Sequence, residues 1–322
     1  MRRGVGPALV GVAALGIVAA VGYGLLGQVR LPFFDGEGCT ATVDGRSVDL
    51  SLEQAENAAL ISAISVRRDL PARAASIALA TAYQESDLEN IERGDRDSIG
   101  LFQQRPSQGW GTPQEILDPV YATNAFYDAL ENVSGYEQME ITVAAQTVQR
   151  SAFPDAYADH EDDARVLASA LTGQSPEAFV CDIDADSGSS GETDTSLTAS
   201  GLTARADVVR RDVEATFGAQ SLGGFAPGGV RTGHIEGSAH YDGRAIDIFF
   251  RPITEANRTR GWAMAQYVVA QADRLGIATV IYDDRIWKAG RDDEWRDYGP
   301  PSSSGDQTIL EHRDHVHVDV FA

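Results

Sequence analysis

Positive charge is scarce in this chain: 26 Lys and Arg stand against 48 Asp and Glu over 322 residues, a net charge of −22 at pH 7. A surface of that sign repels phosphate backbones and anionic headgroups, which excludes nucleic acids as partners. Cysteine is scarcer still, with only Cys39 and Cys181 present. At most one bridge can form. It would staple the two ends of one candidate domain, and in the chain-entropy model a loop of that length gains about 4–5 kcal/mol. Two unrelated buried thiols are the alternative. No internal repeat relates one part of the chain to another. Large apolar residues are nearly missing from residues 182–200, DIDADSGSSGETDTSLTAS, so this stretch cannot repay its ordering entropy and reads as a flexible linker. Elsewhere the hydrophobic content of 43% is that of chains that bury real cores, which excludes disorder throughout.

Met1, Arg2 and Arg3 precede an uncharged apolar run over residues 4–27. That run is long enough to cross a bilayer as one helix, and the arginines ahead of it favour a cytoplasmic position for residues 1–3. A cleaved signal peptide has a shorter apolar centre and a small-residue cleavage site, and none convinces after Leu26. The sequence therefore predicts a retained single-pass anchor in the cell membrane with everything after it on the outer side, where the two cysteines would be oxidised.

Residues 38–181 read as mainly helical. Ser51 and Gln54 make a capping-box pattern ahead of Ala58, Ile61 and Ile64, Pro71 opens a helix over 72–83, and further helices are expected around 121–130, 141–150 and 155–171. Strand-like alternation is scarce there. Residues 201–322 mix types, with helices near 204–216 and 254–275 and strands at 245–250, 278–282 and 315–321, an α+β pattern.

Five of the six histidines lie in two short segments: His234 and His240 in one, His312, His315 and His317 in the other. In the first, His240 and Asp247 stand seven positions apart across Gly243, which permits a sharp reversal. Asp247 falls inside an otherwise apolar strand, where an unpaired carboxylate is expensive to bury and a cation would answer it. In His315-Val-His317-Val-Asp319-Val, period-two alternation puts the polar groups on one face and the valines on the other. His240, Asp247 and His317 then make a three-ligand set suited to catalytic zinc with a position left for water. Asp314 is spaced to act as general base on that water, and His315 to assist as a donor behind the ligands or at the oxyanion. Structural polar contacts are the competing explanation for these histidines, and for His234, Glu311 and His312 they are the expected one.

The string Ser238-x-His240-x-x-Gly243-x-Ala245-x-Asp247 resembles the signature of the D-alanyl-D-alanine carboxypeptidase and dipeptidase family of zinc peptidases. Asp314-x-x-His317 resembles that family's second motif, and His315-x-His317 looks like that of related murein endopeptidases. The resemblance implies Zn2+ on His240, Asp247 and His317, activation of water by Asp314 where some members carry Glu, and substrate contacts from Ser238 and, by position, from Arg231.

In the helical part, Glu85 closes an apolar helix, a position that raises a carboxyl's pKa and suits it to protonate a glycosidic oxygen. Glu85-Ser86 followed by Ser98-x-Gly100-Leu101-x-Gln103 resembles the lysozyme-like lytic transglycosylases, which implies Glu85 as acid and then base and Gln103 as a substrate contact. Ala144, Ala145, Gln146 and Tyr157 stand where that family's third motif falls, without its usual Tyr-Asn-Ala-Gly. Asp95 and Asp97 both qualify as the second carboxylate of a hydrolase. A solvated helix end remains the alternative for Glu85, and a surface loop anchored by Trp110 for Gln103 and Gln104.

Together these readings predict a multi-domain chain: an N-terminal transmembrane helix, a mainly α, lysozyme-like domain, the linker, and an α+β zinc peptidase domain. The expected function is bifunctional peptidoglycan hydrolysis, acting on glycan strands and peptide stems from the outer face of the membrane. The sequence leaves carboxypeptidase and endopeptidase chemistry both open. A noncatalytic peptidoglycan-binding scaffold and a metal-uptake or metal-sensing protein are the rivals.

Overall fold

Asp44 and Gly45 both take positive φ, 51° and 80°, the backbone of a two-residue turn that matches strand twist. They join β1 (Gly38–Val43) to β2 (Arg46–Leu50), with Val43 opposite Arg46. The computed structural model describes residues 36–150, 155–184, 195–291, 294–300 and 305–322. A third strand, β3 (Phe179–Asp182), pairs antiparallel with β1 and brings Cys181 directly opposite Cys39, so that the two close a disulfide across 142 residues of chain.

Helices fill the stretch between β2 and β3. Ser51 accepts from the Gln54 N–H and Gln54 reaches back to Ser51, which starts α1 (Leu52–Arg67). Pro71 leads into α2 (Ala72–Ser86), whose alanine-rich surface, Ala74, Ala75, Ala78, Ala80 and Ala82, is buried nearly all round. Small side chains let α1, α4 (Ile141–Gln149) and α5 (Glu161–Leu171) approach it closely, while α3 (Pro119–Glu131) packs on α1 and α2.

Past residue 200, α6 (Ala204–Phe217) starts at the Thr203 cap. An antiparallel sheet follows in the order β4-β5-β9-β6-β7-β8, built from β4 (Leu222–Gly223), β5 (Ala245–Phe249), β6 (Ile277–Tyr282), β7 (Arg285–Lys288), β8 (Arg296–Asp297) and β9 (His315–Val320). Between β5 and β6 runs α7 (Glu255–Ala270), buried without interruption from Gly261 to Ala270. One side of α7 meets β6 and β9, and the other meets α1, α5 and β3. A helix wedged between two layers needs apolar residues all round, which is why α7 shows no polar stripe. Residues from Glu37 onward form one compact unit.

Three expectations need correction. The predicted class, a transmembrane helix followed by a mainly α domain and an α+β domain, gives way to a mixed helix-and-sheet chain, because β1, β2 and β3 build a sheet into the part expected to be mainly helical. No described helix is long and apolar enough to cross a membrane. The longest, α1 and α7, have 16 residues, about 24 Å at 1.5 Å per residue against a hydrocarbon core of about 30 Å. The single-pass membrane location with an outer-side remainder therefore loses its basis. Residues 1–3 and 4–27, and residues 185–194 of the expected linker, lie outside the described residues.

Candidate functional site

The first histidine segment folds as a short 3-10 turn over Ala239–Asp242. Ser238 caps it, its hydroxyl accepting from the His240 N–H at 3.4 Å, and Gly243 ends it at φ 68°, turning the chain into β5. Antiparallel pairing of β5 with β9 sets Asp247 opposite His317. His240 Nε2 lies 3.1 Å from His317 Nδ1, and each nitrogen lies 3.2 Å from Asp247 Oδ1. A tetrahedral ion with bonds of ~2.0–2.1 Å holds its ligand atoms ~3.3 Å apart. The three atoms therefore have the spacing of ligands to a single cation.

The far sides of both imidazoles are anchored. His240 Nδ1 donates to the Gly224 carbonyl at 2.8 Å, which turns Nε2 toward the centre. His317 Nε2 faces Asp319 Oδ2 at 3.5 Å. Acceptors behind ligating histidines fix tautomer and ring orientation. Gly224, at φ 78°, has to be glycine: a Cβ there would stand 2.3 Å from His240 Cε1 and 2.9 Å from Asp247 Oδ2. Burial alone would raise the Asp247 pKa, but hydrogen bonds from His240 and His317 hold its carboxyl well below the usual range. Burial likewise disfavours a charged His317, and Asp247 and Asp319 outweigh it, pushing its pKa up to about 9.

Around these three, other groups crowd in. His234 stacks on His240 with ring centroids 3.9 Å apart, and one of its ring nitrogens lies within 4.8 Å of a ring nitrogen of His240 and a carboxylate oxygen of Asp247. Two sets of three are thus available to a cation, and in the set with His317 the three atoms lie 3.1–3.2 Å apart. Asp314 does not face the centre directly. Its Oδ2 accepts from Arg251 Nε at 2.6 Å, and its Oδ1 is 2.7 Å from His315 Nδ1. His315 Nε2 is then turned to Asp247 Oδ1 at 3.7 Å. Burial would raise Asp314; its bonds from His315 and Arg251 keep it lowered. His312 is held down to about 3 by burial and by the neighbouring His317 and His315. All five histidines line one cavity of about 730 Å³, open to solvent.

Residues 198–309 match the protein-family model described as VldE, C-terminal domain. A search of curated proteins returns no match to this chain. The VldE match takes in His234, His240 and Asp247 and ends before β9, which carries His315 and His317.

Glu85 lies outside the VldE match, in the last turn of α2. Tyr157, itself buried, donates to Glu85 Oε1 at 2.7 Å. Burial raises the Glu85 pKa, and the hydrogen bonds from Tyr157 and Gln149 pull back only part of that rise. The neighbouring Ser86 hydroxyl bonds to the Leu101 carbonyl at 2.8 Å, which ties the 98–104 loop to the same helix end. Gln103 turns back on the loop, its amide 3.2 Å from the Gly100 carbonyl. Gln104 is buried, with its amide on the Ala122 carbonyl. Asp97 is committed elsewhere: the Ser107 and Arg105 hydrogen bonds hold its pKa far down. Asp95 points to solvent, its side chain 94% exposed.

Arg231 is exposed and is not among the residues lining the histidine cavity. Gly224 and Arg251 were invisible to sequence reasoning, since both reach the site only through strand pairing. His234 had a signal, its closeness to His240 in sequence, which alone does not separate a neighbour from a ligand.

Proposed function

We propose that this chain is a zinc-dependent hydrolase of peptidoglycan stem peptides with a second, glycan-cleaving centre at Glu85. What carries the first part is the mutual approach of His240, Asp247 and His317 at 3.1–3.2 Å in an open cavity. Their resemblance to the D-alanyl-D-alanine carboxypeptidase and dipeptidase signature supplies the substrate class. When bound, zinc provides a Lewis acid for the scissile carbonyl and lowers the pKa of a water. In the hydrolysis, water oxygen adds to the carbonyl carbon, the C–N bond breaks, and the leaving nitrogen gains a proton. Asp314 acts through His315, whose Nε2 is the atom turned to the centre, and Arg251 holds Asp314 in place. Ser238 contributes by capping the turn that carries His240.

At Glu85 the raised pKa favours a group that keeps its proton for a leaving oxygen. The commitment of Asp97 to Arg105 and Ser107, and the exposure of Asp95, support single-carboxylate chemistry in which a sugar hydroxyl takes the place of the attacking water. Gln103 at the loop beside α2 is the proposed sugar contact.

Mass spectrometry of purified sacculi after digestion tests both centres, alongside the metal content of the protein. Peptide products are expected to vanish only in His240→Ala, and glycan products only in Glu85→Gln. Peptidoglycan binding without turnover draws support from the engagement of Asp314 on both oxygens. That reading expects sacculi to retain the wild-type protein and release nothing.

A further inference from the structure

Lys288 is the only lysine of the chain, and it lines the same cavity as the histidines. Strand register explains how it gets there. Across β9, β6 and β7, His317, Ile281 and Ile286 form one row of the sheet, and Asp319, Thr279 and Lys288 form the next. All six residues line the cavity, so they share its face. With strands ~4.8 Å apart and a rise of ~3.4 Å per residue, the Cα of Lys288 lies ~12 Å from that of His317. Its flexible four-carbon arm spans part of that gap.

Besides the histidines, three cationic side chains line the cavity: Arg244, Arg251 and Lys288. Arg244 is bonded to Asp242 at 3.0 Å and Arg251 to Asp314 at 2.6 Å. Asp319, in the same row as Lys288, is turned to His317. Among the described residues no carboxylate pairs with Lys288. A cation that faces inward and lacks an anion among the described residues, in a chain of net charge −22, leaves that anion to be supplied by a ligand.

We propose that Lys288 receives the C-terminal carboxylate of the peptide, so that the centre removes a terminal residue and does not cut within a chain. The proposal rests on the metal-hydrolase reading above. A peptide whose scissile carbonyl sits at the His240, Asp247 and His317 cluster carries its terminal carboxylate one residue further on, ~3.5 Å of chain. That step is the right order to meet an ammonium group reaching in from β7. A chain continuing past this point would run a neutral amide against the lysine. Lys288 is thus a specificity-determining residue, chosen over Arg251 and Arg244 because their charges are already answered.

The test uses the full chain loaded with zinc and an N-acetylated tripeptide analogue ending in D-Ala-D-Ala whose scissile amide is replaced by an uncleavable ketomethylene group, offered as free acid and as C-terminal amide, with binding measured by calorimetry. The wild type is expected to bind the acid roughly 10- to 100-fold more tightly than the amide, as for a charge-assisted hydrogen bond. Lys288→Met is expected to bind both alike at the amide level, Lys288→Arg to keep most of the preference, and all three proteins to hold equal zinc. Equal binding of acid and amide by the wild type, no binding to the zinc-loaded protein, or a preference that survives in Lys288→Met overturns the proposal while the metal centre stands. A chain that takes up no zinc removes the metal-hydrolase reading, and this proposal falls with it.

Discussion

His240 holds its orientation through one backbone carbonyl, and that dependence singles out Gly224 among the residues of the centre. Gly224→Ala would add a Cβ 2.3 Å from His240 Cε1 at a residue with φ 78°. Overpacking and a positive φ together cost about 2–4 kcal/mol. The variant is expected to lose that much stability in chemical denaturation and to bind zinc at least tenfold more weakly in a competition titration. Unchanged zinc affinity would show that the Gly224 carbonyl does not orient the ligand. Glu85 answers to pH in a direction its burial dictates. Its folded-state pKa is raised, so folding favours the protonated acid. Full stability is present below the ordinary carboxylate value of about 4.3 and is partly lost as pH rises through the raised one. Glu85→Gln keeps the shape and an acceptor for Tyr157 but removes the ionisation. Melting should find it no more stable than wild type at about pH 3.5 and more stable at about pH 7.5. A gain of equal size at both values would mean that desolvation of the carboxylate is not the cause.

Elements differ in how far their determinants lie from them, and this decides which of them the sequence made legible. The capping box of Ser51 and Gln54 and the opening of α2 at Pro71 are local, and both are found where the residues put them. The alternation in β9 was equally local. In contrast, β1 finds its partner β3 only after 142 residues. The Asp44-Gly45 turn signals the hairpin with β2 but says nothing of the third strand. The approach of His240, Asp247 and His317 was legible because one motif spacing and one strand period encode it. Arg251 was not, because it meets Asp314 only when Phe249 pairs with His315 at the ends of β5 and β9. The place of Glu85 at a helix end was legible, whereas its bond to Tyr157 depends on how α4, α5 and the turn before α5 pack on α2. The disulfide acts at this scale too. Replacing Cys39 and Cys181 by serine releases the long loop between β1 and β3, and guanidinium denaturation should record a loss of about 2–5 kcal/mol. A loss under about 1 kcal/mol would mean that packing of the helices already confines the denatured chain to the same degree.

Across the whole molecule, buried donors past residue 200 end on backbone carbonyls of the earlier part. Gln266 bonds to Ala170 at 2.6 Å and Gln271 to Glu56 at 3.0 Å, while Trp287 reaches Cys181 at 3.1 Å and Trp295 reaches Phe179 at 3.0 Å. Separating the two parts would exchange these bonds for water at about 0.5–1.5 kcal/mol apiece and uncover the apolar wall that α7 shares with α1. Unfolding is therefore expected as one cooperative transition, with helix ellipticity and tryptophan fluorescence changing together. Trp262, Trp287 and Trp295 report on the part with the histidines, and most of the ellipticity on the part with Glu85. Zinc should then raise the midpoint seen by both probes equally, although its ligands lie in only one part. At a free concentration 100 times its dissociation constant the gain is about 2.7 kcal/mol. His317, with its pKa pushed up to about 9, must shed its proton to bind the ion. At a fixed zinc concentration the shift should accordingly be larger at about pH 8 than at about pH 6. Two separate transitions, or a zinc effect confined to fluorescence, would mean that the two parts hold their structure independently.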